Sequence, residues 1–133
     1  MRVEKLLLRR CLVGWYPILL AAFACADSTS LVCTQEARPG LSVYVRNSAT
    51  SAGIASGASV VVHDGLYKDS VAFTANSADL DNFPISAAVE RAGTYQVTVT
   101  KTGFAPWTQS DVRVTANRCH VNTVTLTALL QAN

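Results

Sequence analysis

The stretch TYQVTVTKTG, residues 94–103, has the cleanest alternation of apolar and polar side chains in the chain. The apolar set is Tyr95, Val97 and Val99, and the polar set is Gln96, Thr98 and Thr100. Successive side chains of a β-strand point to opposite faces of a sheet, so this alternation indicates a strand with one face on a core. We therefore expect a half-buried strand that ends near Gly103.

Similar alternation recurs on both sides of this stretch. It is present in LSVYVRN (41–47), ASVVVHDG (58–65), LYKDSVAFTA (66–75), residues 109–115 and HVNTVTLTALL (120–130). For ISAAVERAG (85–93), a short strand is favoured over a short helix. Asp64-Gly65 is a hairpin signal, and Pro84 places NSADLDNFP in a loop because proline is disfavoured in central strands. About seven short strands at this spacing predict an all-β fold, an antiparallel β-sandwich.

Charge is distributed unevenly along the chain. The formal net charge is +2, but Arg2, Lys5, Arg9 and Arg10 all precede the first long apolar run. From Cys25 onward, seven Lys and Arg side chains stand against eight Asp and Glu side chains, which leaves about −1. This part has no basic footprint for nucleic acid, and its 109 residues suffice for one domain.

The first 24 residues have the pattern of a secretory signal peptide. The basic segment MRVEKLLLRR is followed by CLVGWYPILLAAFA, fourteen residues without charge. A membrane-spanning helix needs about 20 apolar residues, so the run is short for a span and suits a signal peptide. A retained signal anchor is the alternative.

The end of this segment allows three readings. Ala22-Phe23-Ala24 and Ala24-Cys25-Ala26 both fit ordinary signal peptidase, and the second cut discards Cys25. LAAFAC, however, resembles the lipobox of bacterial lipoproteins. That resemblance implies that the Cys25 thiol carries a diacylglycerol, that the chain is cut before Cys25, and that its new amino group is acylated, with palmitate as the expected fatty acid. Two or three acyl chains hold a protein on a membrane, and residues 25–38 then form a tether.

Two further cysteines remain for the exported chain. Cys11 would leave with the signal peptide, and Cys25 would carry the lipid on the lipobox reading. Cys33 precedes the first predicted strand and Cys119 precedes the last. Two cysteines in an exported chain most simply pair, so we expect a Cys33–Cys119 disulfide. A metal site at Cys119-His120 is the alternative, but no C-x-x-C or H-x-x-x-H spacing supports it, and we predict no metal and no cofactor.

The segments SGASVVVHDG (56–65) and ERAGTYQ…LTALL (90–130) carry a family resemblance. Their strand patterns, and the Gly-Phe that follows the second strand, resemble the carboxypeptidase regulatory-like domain over residues 39–130. The resemblance implies a transthyretin (prealbumin)-like sandwich of seven strands that acts as a scaffold, spacer or interaction module. The zinc peptidase domain of that family is a separate unit.

The sequence offers little for catalysis. His63 and His120 are the only histidines, there is no G-x-S-x-G elbow, and Asp79/Asp81 fit a solvated loop. The transthyretin-fold enzyme 5-hydroxyisourate hydrolase ends in Tyr-Arg-Gly-Ser, whereas this chain ends in LTALLQAN. We predict no enzyme; a small hydrolase would need one of the histidines clustered with an acid and a nucleophile.

The stretch GFAPW (103–107) is the candidate contact surface. Phe104 and Trp107, with Tyr67 near them, would stack on sugars or anchor a protein partner. The alternative is that Phe104 and Trp107 plug one end of the sandwich.

Together these patterns predict an exported, lipid-anchored, non-catalytic module of the bacterial cell envelope. Its partners would be the membrane, through the anchor, and an envelope protein or glycan. The alternative is a soluble periplasmic or secreted binding protein that uses the aromatic stretch.

Overall fold

The computed structural model of the protein describes residues 32–74 and 78–133. The predicted signal peptide, the anchor at Cys25 and the first part of the predicted tether lie outside these residues. Within them the chain forms one short 3₁₀ turn, Ala78–Leu80, and seven strands. The strands are β1 Pro39–Asn47, β2 Ala58–Asp64, β3 Tyr67–Ala72, β4 Ile85–Val89, β5 Gly93–Lys101, β6 Trp107–Val114 and β7 Val124–Leu130. The predicted all-β class and strand number are confirmed.

The strands form two sheets around one apolar core. One sheet has the order β4-β1-β7 and the other β3-β2-β5-β6. Alternate residues of both sheets are buried in the same cluster, as in a β-sandwich. Among the described residues no polar or charged side chain is fully buried, so the core is held by apolar contact.

The core faces follow from the alternation in the sequence. Leu41, Val43 and Val45 of β1 are buried, as expected from the period of two. On β5, Val97 and Val99 are fully buried and lie opposite Val62 and Val60 of β2. β-Branched side chains pack well on a pleated surface, which explains the choice of valine at these positions.

One strand pair corrects the prediction of a wholly antiparallel sandwich. β7 runs parallel to β1, with Leu41 opposite Val124 and Asn47 opposite Leu130. Alternation specifies which face of a strand is buried but carries no information on its direction, so this part of the prediction was wrong. Parallel pairing places the beginnings of the first and last strands side by side.

The disulfide depends on that arrangement. Cys33 and Cys119 precede the neighbouring beginnings of β1 and β7, and they are bonded with a Cα–Cα distance of 5.3 Å. The predicted pairing is confirmed. The second half of the predicted tether is fastened as well, because the Arg38 N–H donates to Glu90 Oε1 at 2.7 Å.

The two ends of the sandwich carry different loops. The disulfide end contains the disulfide, the Gly65–Leu66 turn, the start of β5 and the loop 115–123. The far end contains the loops 48–57, 78–84 and 102–106 and the last residues of the chain. Hydrogen bonds join them: the Ser56 N–H donates to Asp81 Oδ1 at 2.9 Å, and the Ala105 N–H donates to Gln131 O at 2.8 Å. The Asp64-Gly65 hairpin signal is confirmed: Asp64 pairs with Tyr67, and Gly65 has the positive φ of 58° that such a turn requires.

Candidate functional site

A chain of polar side chains lies at the disulfide end. His120 Nδ1 is 2.9 Å from Glu90 Oε1. The other ring nitrogen, Nε2, is 2.9 Å from the hydroxyl oxygen of Thr34. The imidazole is almost buried, with its side chain 10% exposed, whereas Thr34 and Glu90 are at the surface. The histidine therefore joins the N-terminal segment to the turn between β4 and β5.

Glu90 is held in place by the backbone. It accepts the Arg38 N–H, and its own N–H donates to Arg38 O at 2.9 Å. The Arg38 N–H lowers the pKa of Glu90 below its usual range, and the hydrogen bond from His120 lowers it further. An ionised Glu90 favours the His120 tautomer with a proton on Nδ1, which leaves Nε2 to accept the Thr34 hydroxyl.

The arrangement has the order hydroxyl, imidazole and carboxylate. In hydrolases this order lets the imidazole take a proton from a nucleophilic hydroxyl. Catalysis also needs N–H donors for the oxyanion. The backbone N–H groups of Cys119 and His120, at the histidine itself, both donate to Asn117 Oδ1, at 2.8 and 2.9 Å. The observed contacts of Thr34, His120 and Glu90 hold the N-terminal segment against the domain.

A second cluster surrounds Arg91. Its guanidinium lies 4.0 Å from the Tyr67 ring centroid and donates to Asp64 Oδ2 at 2.7 Å. The Tyr95 hydroxyl accepts from the same guanidinium at 3.1 Å and donates to Arg91 O at 2.9 Å. The bond to Asp64 raises the pKa of Arg91, and burial raises that of Tyr67. The cluster ties the β2–β3 hairpin to the start of β5.

Two shallow open grooves lie beside these clusters. One, of about 570 Å³, is lined by His63, Gln96, Ser110 and Asp111 among others. The other, of about 520 Å³, runs from Ala92 to Arg113 and Thr115. Neither is lined by Thr34, Glu90 or His120. Within residues 32–74 and 78–133 no three His, Cys, Asp or Glu side chains are placed to hold a metal ion.

The structure does not bring the three predicted contact aromatics together. Phe104 and Trp107 are half-buried and pack against the core, as the plug alternative expects. Trp107 lies opposite Val99 toward the far end, whereas Tyr67 lies opposite Asp64 at the disulfide end. Tyr67 belongs to the Arg91 cluster. A binding role for Phe104 and Trp107 stays a prediction.

The other candidate residues have separate positions. His63 is exposed on the outer face of β2, opposite Gln96. Asp81 Oδ1 accepts the Ser56 N–H at 2.9 Å and so fixes one far-end loop to another, while Asp79 is exposed. His120 is the histidine that is hydrogen-bonded to an acid and a hydroxyl. His63 shares a groove with Ser110 and Asp111, but its ring makes no hydrogen bond to them in the described residues.

Sequence reasoning missed Thr34, Glu90 and Arg91. Each is a single polar residue in or beside a loop, and Thr34 is 86 positions from the histidine that it meets. No local periodicity marks such residues. Only the fold brings them together.

Comparison with known proteins adds no relative: no family model and no curated protein matches this chain. Across the part of the chain that the structure describes, no helix combines the length and the apolar character needed to cross a membrane. Function therefore has to be inferred from the residues themselves.

Proposed function

We propose that this protein is a non-catalytic lipoprotein of the bacterial cell envelope. Cys25 carries the lipid, and a transthyretin-type sandwich of the carboxypeptidase regulatory-like kind serves as a structural or protein-interaction module. The observation that carries the proposal is the Cys33–Cys119 disulfide, eight residues after the lipobox cysteine. Stable disulfides belong to oxidising compartments, which agrees with export through the N-terminal segment.

The contacts of the N-terminal segment support a structural role. The chain that leads from the anchor is held at Cys33 by the disulfide, at Thr34 by His120 and at Arg38 by Glu90. Tension on the anchor is therefore passed to the sandwich at several points. This is the arrangement that a tethered module needs. Seven strands in sheets of three and four support the transthyretin-type assignment.

The test is the intact mass of the mature protein isolated from its native envelope. The proposal expects the mass of residues 25–133 plus a diacylglycerol and a further acyl chain. A bare mass that starts at Cys25 or Asp27 would contradict the anchor and support the soluble periplasmic or secreted binding protein. A gain of about two hydrogens on reduction is expected from one disulfide.

A second candidate, a small hydrolase, is supported by one observation, the Thr34–His120–Glu90 chain. The matched pair of variants is Thr34→Val and Thr125→Val, since both threonines are exposed. A hydrolase predicts that a fluorophosphonate probe labels Thr34 and that only Thr34→Val abolishes labelling and ester hydrolysis. Equal behaviour of both variants and the parent would leave the cluster with its fastening role alone.

A further inference from the structure

The disulfide end is the part of the sandwich closest to the proposed lipid anchor along the chain. Cys33 lies eight positions after Cys25, and a fully extended chain of that length spans about 27 Å. Cys33, at the disulfide end, therefore stays within that distance of the lipid, whichever way the sandwich turns. This step, and the inference as a whole, rests on the proposed function.

The same end exposes apolar side chains. The large apolar residues exposed on the described surface are Val32, Leu66, Phe83, Val89 and Leu129. Three of these five, Val32, Leu66 and Val89, lie at the disulfide end. Leu66 is fully exposed because it occupies the tip of the two-residue turn between β2 and β3. Tight turns favour Gly, Asn and Asp, so a leucine at this tip needs a reason.

Charge at this end is largely compensated. Glu36 pairs with Arg38 and Asp64 with Arg91, while Glu90 accepts a hydrogen bond from His120 Nδ1. Three cations, Lys68, Arg113 and Arg118, make no ion pair within the described residues, and neither do Asp69 and Asp111 among the acids of this end. Lysine next to an inserted apolar side chain keeps its charge among the lipid headgroups while its stem lies along the apolar region.

We infer that the disulfide end rests on the bilayer that holds the anchor, with Leu66 inserted among the lipids. A stable protein interface buries about 800 Å² on each partner. On the β2–β3 turn, Leu66 is the one exposed large apolar side chain among the described residues. A lipid surface, by contrast, accepts a single apolar side chain that projects from a turn. The far end, with Phe83, then points away from the membrane.

The experiment uses the mature lipidated protein, reconstituted in vesicles that contain brominated acyl chains. Leu66→Trp and Phe83→Trp form the matched pair, because each replaces an exposed apolar residue, one at each end. The native Trp107 contributes equally to both. We expect the bromines to quench the added fluorescence of the Leu66 variant several-fold more strongly than that of the Phe83 variant.

Two results would overturn the inference, and they are distinguishable. If the protein does not float with the vesicles, the anchor itself fails, and this inference fails with it. If it floats and quenching is equal for the two variants, the anchor stands and the orientation is wrong. Added tryptophan at either position leaves the core unchanged, and near-parent thermal midpoints check that both variants fold.

Discussion

At the scale of single residues, Glu90 combines an unusual backbone with several contacts. Its φ of 50° lies in the left-handed region, which costs free energy for a residue with a Cβ. Its N–H donates to Arg38 O, and its carboxylate accepts from the Arg38 N–H and from His120 Nδ1. These three bonds hold it there. Its strain is thus offset by the contacts that fasten the N-terminal segment.

Replacement of Glu90 by Gln is expected to change how stability depends on pH. The native fold lowers the pKa of Glu90 below its ordinary 4.5, so the ionised side chain adds stability that is fully present above pH 4.5. That stability is lost as the pH falls from 4.5 through the lower native value. Glu90→Gln has no carboxylate to protonate at this position, so it should not show this part of the stability loss at low pH.

The measurement is the urea midpoint between pH 7 and pH 3. The control is Glu36→Gln, which removes an exposed carboxylate that pairs only with Arg38. The Glu90→Gln curve should be flatter than that of the parent, and the control should follow the parent. Identical slopes for all three proteins would show that the native contacts do not act on Glu90.

Tyr95→Phe tests the Arg91 cluster. The Tyr95 ring is fully buried, and its hydroxyl donates to Arg91 O while accepting from the guanidinium. Removing the hydroxyl takes one hydrogen-bond partner from Arg91 O and one from the Arg91 guanidinium. The free energy of unfolding should therefore fall by about 1–2 kcal/mol. Tyr44→Phe, on the outer face of β1, should change it by less than about 0.5 kcal/mol. Chemical denaturation of both variants decides; equal losses would speak against the cluster.

At the scale of elements, β4 is short and distorted where it ends. Ala88 has a φ of 52°, although it is fully buried and precedes only Val89 in the strand. Its N–H donates to Asp69 Oδ2 on β3 at 2.9 Å, a bond between the two sheets. The positive φ at Ala88 therefore directs its N–H away from its own sheet. The bond that this N–H makes joins the edge strands β4 and β3.

Glycine substitutions at adjacent alanines should measure this distortion. Ala87 and Ala88 are both fully buried, but only Ala88 has a positive φ. Ala87→Gly loses a buried methyl group and gains chain entropy in the unfolded state, so it should cost about 1–2 kcal/mol. Ala88→Gly has the same two destabilising effects, but it also relieves left-handed backbone strain of about 1–2 kcal/mol. Its net effect on the free energy of unfolding should therefore be near zero. Equal costs in thermal or urea unfolding would refute the strain at Ala88.

At the scale of the whole molecule, the parallel pair β1–β7 joins the N-terminal and C-terminal strands of the domain in one sheet. It places the first and last strands side by side and lets one disulfide join segments separated by 86 positions. The disulfide and the His120 network then both join the N-terminal segment to the domain. The four-stranded sheet is joined to this network through Arg91.

Loss of the disulfide should destabilise the domain strongly. A bond that closes a loop of 86 positions restricts the unfolded chain by about 4 kcal/mol in the chain-entropy model. The double variant Cys33→Ser/Cys119→Ser should lose roughly that amount. Adding a reductant should lower the unfolding midpoint of the parent and leave that of the variant unchanged. Identical midpoints for the parent and the variant would contradict this expectation.

The sequence by itself determined the strands, their buried faces, the β2–β3 turn and the cysteine pair. Each is a local signal or follows from the small number of cysteines. The signals are the period of two in residues 94–100, the Asp64-Gly65 pair, and the two cysteines left for a domain that is predicted to be exported. Leu41, Val43 and Val45 are accordingly buried as expected.

Only the tertiary structure decided the direction of β7 against β1, the meeting of Thr34 and Glu90 on His120, and the separation of Tyr67 from Trp107. Strand direction leaves no trace in an alternating pattern, because a strand presents the same faces in either direction. Contacts between residues 30 to 86 positions apart depend on how the sheets are connected. The local sequence pattern therefore determined the strands and their buried faces. The way the two sheets are connected determined which distant residues meet in the candidate site.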